Sequence, residues 1–404
     1  LFTFVHSGLK KQRVTVTYLG RDLTSLSNTN KKHDIKRADR LIGNLRLHQE
    51  RHCYYEFMSE TLVGHQKHPL VIVDWSPING QEIFQVLRAS IPMGGRALTL
   101  YEKVYPESEL NSEAAHQDLL NKLALCLPAD CCPIILSDAI FRTPWVEAIE
   151  AKGWYWVGRV RGNVTLSIDS NHWHNCRYFF EQATSKVQAL GQLLYAKKAL
   201  FPCHAALYKG KPTGRTTTKK RGGASQCTTV KYQQQKAKEP WLIIYNLPAH
   251  WKNQAVLSIN LYKQRMQIEE NFRDTKSSRV GISLEYANSR TAARFDNLLL
   301  IASLILFILW IVGYATSESG HMPAMQANSP TKSLSSQPRN SAISNFTTGQ
   351  HQPNNKPTNH KPQTTNHKPQ TTNQQPNKPT INNAQSTTMH THPQTERVSF
   401  ILYC

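Results

Sequence analysis

Short apolar runs alternate with amphipathic segments over residues 69–160. The runs at 69–75 and 133–138 are rich in Val, Ile and Leu, and each carries an Asp near its end, Asp74 and Asp138. Continuous or alternating apolar positions predict strands, whereas apolar positions three and four residues apart predict helices. By these criteria further strands lie at 83–91, 96–105 and 154–160, and helices at 112–127 and 143–152. This order predicts an α/β fold with a mixed sheet.

The segments on either side have different patterns. Residues 13–65 are predicted to be helical and basic, with a cationic face that is either solvated or in contact with phosphates. Helical periodicity fades from 165 to 255, which indicates a β-rich insertion. It returns at 255–276. Residues 298–315 form a helix of apolar and small side chains that suits either a membrane span or a buried core position.

The C-terminal part of the chain differs in composition from the rest. Residues 316–404 are rich in Pro, Asn and Gln, and they repeat the heptapeptide Asn-His-Lys-Pro-Gln-Thr-Thr at 359–365 and 366–372. With so few apolar residues this segment cannot offset the entropy of ordering its backbone, so we expect it to be disordered. Two interpretations stay open: a basic tail that binds nucleic acid, and a linker or frame-shifted sequence.

The net charge of +21 on 404 residues makes a polyanion the expected partner. Residues 1–315 contain 41 Lys and Arg against 25 Asp and Glu, so most of the excess lies outside the tail, part of it in a loop at 209–223. The eight Cys include no Cys-x-x-Cys pair, which favours a reduced cytoplasmic protein over a disulfide scaffold. His172, His174 and Cys176 are a weak metal-site candidate, because a second ligand pair at zinc spacing is lacking.

Asp74 and Asp138 are candidate catalytic residues because open α/β sheets place their sites at strand ends. Each could instead cap the element that follows it. A third acid comes from 261–276. On a helix with 3.6 residues per turn, one arc of about 80° holds five polar side chains. They are Tyr262, Arg265, Glu269, Arg273 and Lys276.

That arc singles out Glu269 over Glu270 and Asp274, which fall off the polar face, while Leu261, Ile268 and Phe272 form a buried stripe beside it. A surface helix with ion pairs four residues apart is the alternative. Three carboxylates suit Mg²⁺, which prefers carboxylate oxygen. Two such ions about 4 Å apart would activate water and stabilise the leaving oxygen in phosphodiester cleavage. The cations on the same face would hold DNA phosphates.

The spacing Tyr-x2-Arg-x3-Glu-x6-Lys at 262–276 resembles the third motif of a known family. These are bacterial insertion-sequence transposases of the DDE type, in the Tyr-Arg-Glu-Lys (YREK) subgroup of the insertion sequence four family. The resemblance covers roughly residues 20–315. Other stretches that resemble the family are Val71-Ile-Val-Asp74-Trp75, Ser137-Asp138 with Pro144-Trp145, Leu98-Thr-Leu-Tyr-Glu-Lys103 and Arg294-Phe295-Asp296.

The resemblance implies an RNase H-like catalytic core with a mixed sheet, interrupted by a β-rich insertion domain, with a helical N-terminal region and a disordered C-terminal tail. The implied division is 1–65 for a shortened DNA-binding region, 66–164 and 256–315 for the core, 165–255 for the insertion and 316–404 for the tail. It also makes 298–315 a buried core helix of a protein without a membrane span. The expected location is the bacterial cytoplasm, on the nucleoid.

The resemblance further implies cut-and-paste transposition. A homodimer would act on double-stranded DNA at the terminal inverted repeats and at the target. Asp74, Asp138 and Glu269 would bind two Mg²⁺, with Mn²⁺ as a substitute. The reaction would pass through a DNA hairpin before strand transfer. An inactive DNA-binding remnant and, from pattern alone, a single-span membrane protein are the alternative functions.

Residue by residue, Tyr262, Arg265 and Lys276 match positions that hold phosphates around a flipped base, and Trp241 matches the Trp that stacks on that base. A core aromatic on a strand is the alternative for Trp241. The chain departs from the family pattern at Ile140, in its short N-terminal region and beyond about residue 334. We therefore expect a truncated or frame-shifted copy.

Overall fold

The computed structural model describes residues 1–21, 23, 30–80, 83–138, 142–210 and 239–320. Helices precede the first strand, as the pattern of 13–65 predicted. They are α1 (Phe2–Lys11), α2 (Val16–Arg21), α3 (Lys31–Ile42) and α4 (Leu45–Val63). The start of α4 is fixed by a local hydrogen-bonded cap. The Asn44 side chain accepts hydrogen bonds from the N–H groups of Arg46 and Leu47.

The next elements match the predicted strands and helices to within two residues at each end. They are β1 (Leu70–Pro77), β2 (Phe84–Pro92), β3 (Ala97–Pro106), α5 (Glu113–Cys126), β4 (Ile134–Ser137), α6 (Thr143–Glu150) and β5 (Tyr155–Val160). The segment without helical periodicity is β-rich, as expected. It contains β6 (Thr165–Ser167), β7 (His174–Asn175), α7 (Cys176–Phe180), β8 (Gln188–Tyr195), β9 (Phe201–Tyr208) and β10 (Trp241–Tyr245).

All ten of these strands belong to one mixed sheet in the order β3-β2-β1-β4-β5-β10-β9-β8-β6-β7. The strands β1, β4 and β5 are parallel, and their other neighbours are antiparallel. The five strands from β3 to β5 form an RNase H-like core sheet, and β10 extends it from the β5 edge. The predicted mixed α/β fold is confirmed, and the strands of the β-rich segment continue the core sheet.

The helical segment at 255–276 is divided, so the prediction of one continuous helix is wrong. Helix α8 (Gln254–Lys263) ends before Arg265, and α9 (Met266–Lys276) begins after it. Between them the N–H groups of Gln264 and Arg265 donate to carbonyls three residues back, which tightens the backbone into a 3₁₀-like turn. Tyr262 and Glu269 therefore lie on different helices, and one helical wheel does not describe both.

The apolar helix α10 (Ala292–Glu318) is long and apolar enough to cross a membrane, the one such helix in the described part of the chain. Its side chains from Phe295 to Phe307 are buried inside the protein, where the helix packs on β3 and α4. Asp296 fixes it there: this carboxylate accepts the Val104 N–H (2.9 Å) and pairs with Arg51 (3.1 Å). These contacts make α10 a core helix.

Three sequence features fall outside the described residues. They are Ile140, the part of the cationic loop from 211 to 223, and the tail beyond 320.

A buried ion pair joins the sheet to the helix that carries Glu269. Arg88 on β2 and Glu102 on β3 are inaccessible to solvent, with Nε and Oε2 2.7 Å apart. Arg88 also donates to Asn271 and to Thr275 (3.1 Å) on α9. Glu102 accepts hydrogen bonds from Tyr55 on α4 (3.1 Å) and Ser303 on α10 (2.7 Å). Five elements are thereby tied to one pair of charges.

Replacing Arg88 by Met should lower the free energy of unfolding by about 3–5 kcal/mol, because Glu102 is left buried without its cation. The matched control is the exposed pair of Arg46 and Glu50 (2.7 Å), where Arg46→Met should leave the free energy of unfolding unchanged within experimental error. Denaturant titration of both variants measures the difference. If the two substitutions lowered the free energy of unfolding by similar amounts, the buried network would not be a main source of stability.

Candidate active site

Two of the three candidate acids come together through strand pairing. Val73 on β1 is in register with Ser137 on β4, so Asp74 and Asp138 follow at the same edge of two adjacent parallel strands. Glu269 comes from the first turn of α9, which packs against β1, β2 and β3. The three acids that the sequence pattern selected therefore lie on or next to β1, β4 and α9, at one edge of the sheet.

The three carboxylates surround one nitrogen atom. Arg265 Nη1 lies 3.1 Å from Glu269 Oε1, 3.4 Å from Asp138 Oδ2 and 3.9 Å from Asp74 Oδ2. The side chains of Arg265 and Asp74 are each 16% exposed, and that of Glu269 is 44% exposed. Arg265 reaches this position because it lies in the turn between α8 and α9.

The Asp74 carboxyl lies in a buried environment that disfavours its ionised form. Burial raises the pKa of its carboxyl to about 7, although Arg265 and a hydrogen bond from the Trp75 N–H (2.9 Å) act in the opposite direction. The neighbouring carboxylates Asp138 and Glu269 raise the pKa further. A second cation at this position would favour the ionised form.

Tyr262 is enclosed rather than presented to solvent. Its side chain is 3% exposed, and its hydroxyl donates to Asp138 Oδ1 (3.0 Å). Burial and the adjacent Asp138 raise the pKa of the phenol well above its ordinary value. Trp241 packs edge-on against Tyr262 with ring centroids 5.0 Å apart. These two aromatic residues therefore support the Asp138 side of the site.

Lys276 and Arg273 lie on the other side of the site, in an open cleft. The cleft has a volume of about 410 Å³ and is lined by Asp74, Trp75, Ser76, Glu269, Phe272, Arg273 and Lys276. Lys276 Nζ donates to Ser76 Oγ (2.6 Å) and the Pro77 carbonyl (2.9 Å), and burial lowers its pKa to about 8. The side chain of Arg273 is 45% exposed and pairs with Glu270 (2.7 Å). Two cations thus border the space next to Asp74.

Glu270 and Asp274, the acids that the helical periodicity excluded, form ion pairs outside the candidate site. Asp274 pairs with Arg96, and Glu270 lies 3.7 Å from the same guanidinium. Burial raises the pKa of Asp274 to about 6, with Arg96 opposing the shift. These contacts anchor α9 to the end of the β2–β3 hairpin.

Sequence reasoning missed two arginines next to the site. Arg88 is directly opposite Asp74 in the β1–β2 ladder and holds α9 through Asn271. Arg159 on β5 lies beside Tyr262 and donates to the Pro240 carbonyl (3.3 Å), just before Trp241. Both are charged residues inside strands of mostly apolar residues, and that was the available signal.

The donor set suits a hard divalent cation, because all three side chains offer carboxylate oxygen. The Arg265 guanidinium already shows that a cation fits among them. In the described residues no group of three or more His, Cys, Asp and Glu side chains is close enough together to hold a metal ion, and this includes His172, His174 and Cys176. Asp74, Asp138 and Glu269 are arranged around the guanidinium instead.

Removing the hydroxyl with Tyr262→Phe should lower the free energy of unfolding by about 1.5–3 kcal/mol, the range for a hydrogen bond to a charged group. Tyr286→Phe is the control, because Tyr286 is 62% exposed, and its substitution should stay within about 0.5 kcal/mol. Denaturant unfolding in the presence of EDTA makes the comparison. Equal stability of both variants would contradict the bond to Asp138.

The family model of the transposase DDE domain matches residues 65–306, more than half of the chain, and this range contains all three carboxylates. No curated protein matches the sequence. The matched range begins just before β1 and ends within α10. Members of this family cleave phosphodiester bonds in DNA and join DNA strands, and they generally use divalent metal ions. The chain belongs to the DDE transposase family.

Proposed function

We propose that this transposase is of the YREK subgroup of the insertion sequence four family, with Asp74, Asp138 and Glu269 as ligands of two Mg²⁺ ions. Mn²⁺ should substitute for Mg²⁺. The observation that carries the proposal is the convergence of the three carboxylates on Arg265 Nη1, at 3.1–3.9 Å. The motif spacing from Tyr262 to Lys276 supports the subgroup.

When bound, the metal ions supply an activated water and stabilise the leaving oxygen. The chain's own groups position the DNA. Arg273 and Lys276 border the cleft beside Asp74 and would hold phosphates there, and Arg265 would join them. Trp241, next to Tyr262, would stack on a base flipped out of the duplex. Tyr262 acts through Asp138 as the site stands, and its contact with phosphate would need a change in that hydrogen bond.

The proposed reaction is cut-and-paste transposition. Water cleaves one strand at the transposon end and leaves a 3′-OH. That hydroxyl attacks the opposite strand, which closes a hairpin on the transposon end and releases the flanking DNA. A second water reopens the hairpin, and the 3′-OH then attacks target DNA. Two ends must be processed together, so we propose a homodimer on the terminal inverted repeats, in the bacterial cytoplasm.

We also propose a division of labour along the chain. Residues 66–164 and 256–315 form the catalytic core, and residues 165–255 form the insertion that contributes Trp241. The helical region 1–65 contacts DNA, which its excess of Lys and Arg supports. The segment 316–404 has no assigned role.

The proposal is tested by comparing two neighbouring acids on α9. Glu269→Gln should reduce Mg²⁺-dependent cleavage of DNA carrying the transposon end by about 10³-fold or more, because a lost metal ligand removes several kcal/mol of transition-state stabilisation. Glu270→Gln keeps a similar helix and should remain within about threefold of the unmodified chain. Gel assays of nicked, hairpin and free-end products measure both.

Two results would change the assignment. Equal activity of the two variants would remove Glu269 from the site. An unmodified chain that binds end DNA but cleaves none would favour an inactive DNA-binding remnant.

The lowered pKa of Lys276 predicts a pH dependence of DNA binding. Since its pKa is about 8, the ammonium is mostly charged at pH 7 and mostly neutral at pH 9. Its contact with phosphate is therefore lost as the pH rises through 8, at a cost of about 1.5 kcal/mol or roughly tenfold in Kd. Lys276→Arg keeps its charge throughout, so its Kd should change little. Fluorescence anisotropy with labelled end DNA, at constant ionic strength, measures Kd from pH 7 to 9 for both proteins. If Kd depends on pH in the same way for the unmodified chain and for Lys276→Arg, the prediction is contradicted.

A further inference from the structure

Arg265 holds together the three carboxylates that the proposed function assigns to metal. We infer that its guanidinium is an exchangeable counter-ion: it occupies the carboxylate site in the metal-free protein and moves off when a divalent cation enters. The inference rests on the proposed function, because it takes Asp74, Asp138 and Glu269 as the metal ligands. Arg265 is then a positioning residue: its side chain lies among the carboxylates in the metal-free enzyme and away from them in the metal-bound enzyme.

The guanidinium and a metal ion exclude each other at this point. Mg²⁺ binds oxygen at about 2.0–2.1 Å, so ligand oxygens on one ion lie about 3 Å apart. The present oxygens are spaced around a nitrogen at 3.1–3.9 Å. To bind a metal they must close in on the space that Nη1 fills. Arg265 must therefore leave when the ligands close.

Little else retains the guanidinium. Its other terminal nitrogen, Nη2, contacts the sulfur of Met266 at 3.0 Å, and a thioether is a weak acceptor. Met266 is itself 38% exposed, at the surface of the protein. Among the described residues, the three carboxylates are thus the strong partners of the Arg265 guanidinium. A divalent cation bound to these carboxylates would replace all of its strong contacts.

The site also offers a place for the displaced side chain. The cleft of about 410 Å³ opens directly beside Asp74 and Glu269, and it is bordered by Arg273 and Lys276. Arg265 lies in a short turn between two helices, so a rotation of its long side chain requires no change within either helix. In the cleft the Arg265 side chain would lie near Arg273 and Lys276, the two cations proposed to contact the DNA phosphates. Metal entry would then complete the phosphate-binding surface.

The first test follows Arg265 directly in the unmodified chain. Phenylglyoxal modification, read by peptide mass spectrometry, reports how accessible each guanidinium is. In EDTA the carboxylates shield Arg265, whose side chain is 16% exposed, so we expect slow modification. Added MgCl₂ should raise its rate at least about threefold, while Arg46, with a side chain 84% exposed, should keep a constant rate.

The second test measures competition. Calorimetric titration of MnCl₂ into protein without DNA should give a Kd about tenfold lower for Arg265→Gln, because a unit positive charge 3–4 Å from the carboxylates is removed. Arg265→Lys retains that charge, so its Kd should stay close to the value of the unmodified chain. The double variant Asp74→Asn with Arg265→Gln should lose the Mn²⁺ binding.

The outcomes separate the inference from the function on which it rests. Mn²⁺ binding that depends on Asp74 but is equal with Arg or Gln at position 265 would overturn the exchange and leave the metal site standing. A modification rate at Arg265 that metal leaves unchanged would also overturn it, and this measurement needs no variant. Absence of Asp74-dependent Mn²⁺ binding would overturn the metal site and the exchange together.

Discussion

Mutual repulsion of three carboxylates is the constraint on which this site depends. Two like charges 4 Å apart repel by about 4 kcal/mol at an effective dielectric constant of 20, so acids gathered at one edge of a sheet require a cation among them. Arg265 supplies it, and the raised pKa of Asp74 shows that one guanidinium does not fully compensate the burial. Three carboxylates gathered around a single positive charge would be compensated better by a divalent cation.

The rest of the fold keeps the acids in place. Parallel pairing of β1 and β4 fixes Asp74 beside Asp138, whereas Glu269 depends on the position of α9. That helix is held by side chains rather than by backbone pairing: Arg88, opposite Asp74, bonds to Asn271 and Thr275, and Arg96 pairs with Asp274. The buried Arg88–Glu102 pair is thereby part of the support of the site, besides its role in stability.

The sequence predicted much of the fold because strand and helix periodicity are local properties. It put Asp74 and Asp138 at strand ends, which the structure places on adjacent parallel strands. It also chose Glu269 over Glu270 from one continuous helical wheel, although the helix is divided at Arg265; Glu270 pairs with Arg273 and lies 3.7 Å from Arg96. It could not reveal the turn at Arg265, because the residues on both sides have helical patterns and no Gly or Pro marks the break. The enclosure of Tyr262 by Arg159 and Trp241 was hidden because these contacts join distant segments.

Whether Asp74, Asp138 and Glu269 form one metal site is measured most directly with Fe²⁺ in place of Mg²⁺. Iron bound at the site generates hydroxyl radicals on addition of ascorbate and peroxide, and these cut the polypeptide close to the metal ligands. Three cuts are expected, near residues 74, 138 and 269, and excess Mg²⁺ should suppress all three together. Cuts at other positions, or cuts at these positions that Mg²⁺ leaves unchanged, would contradict it.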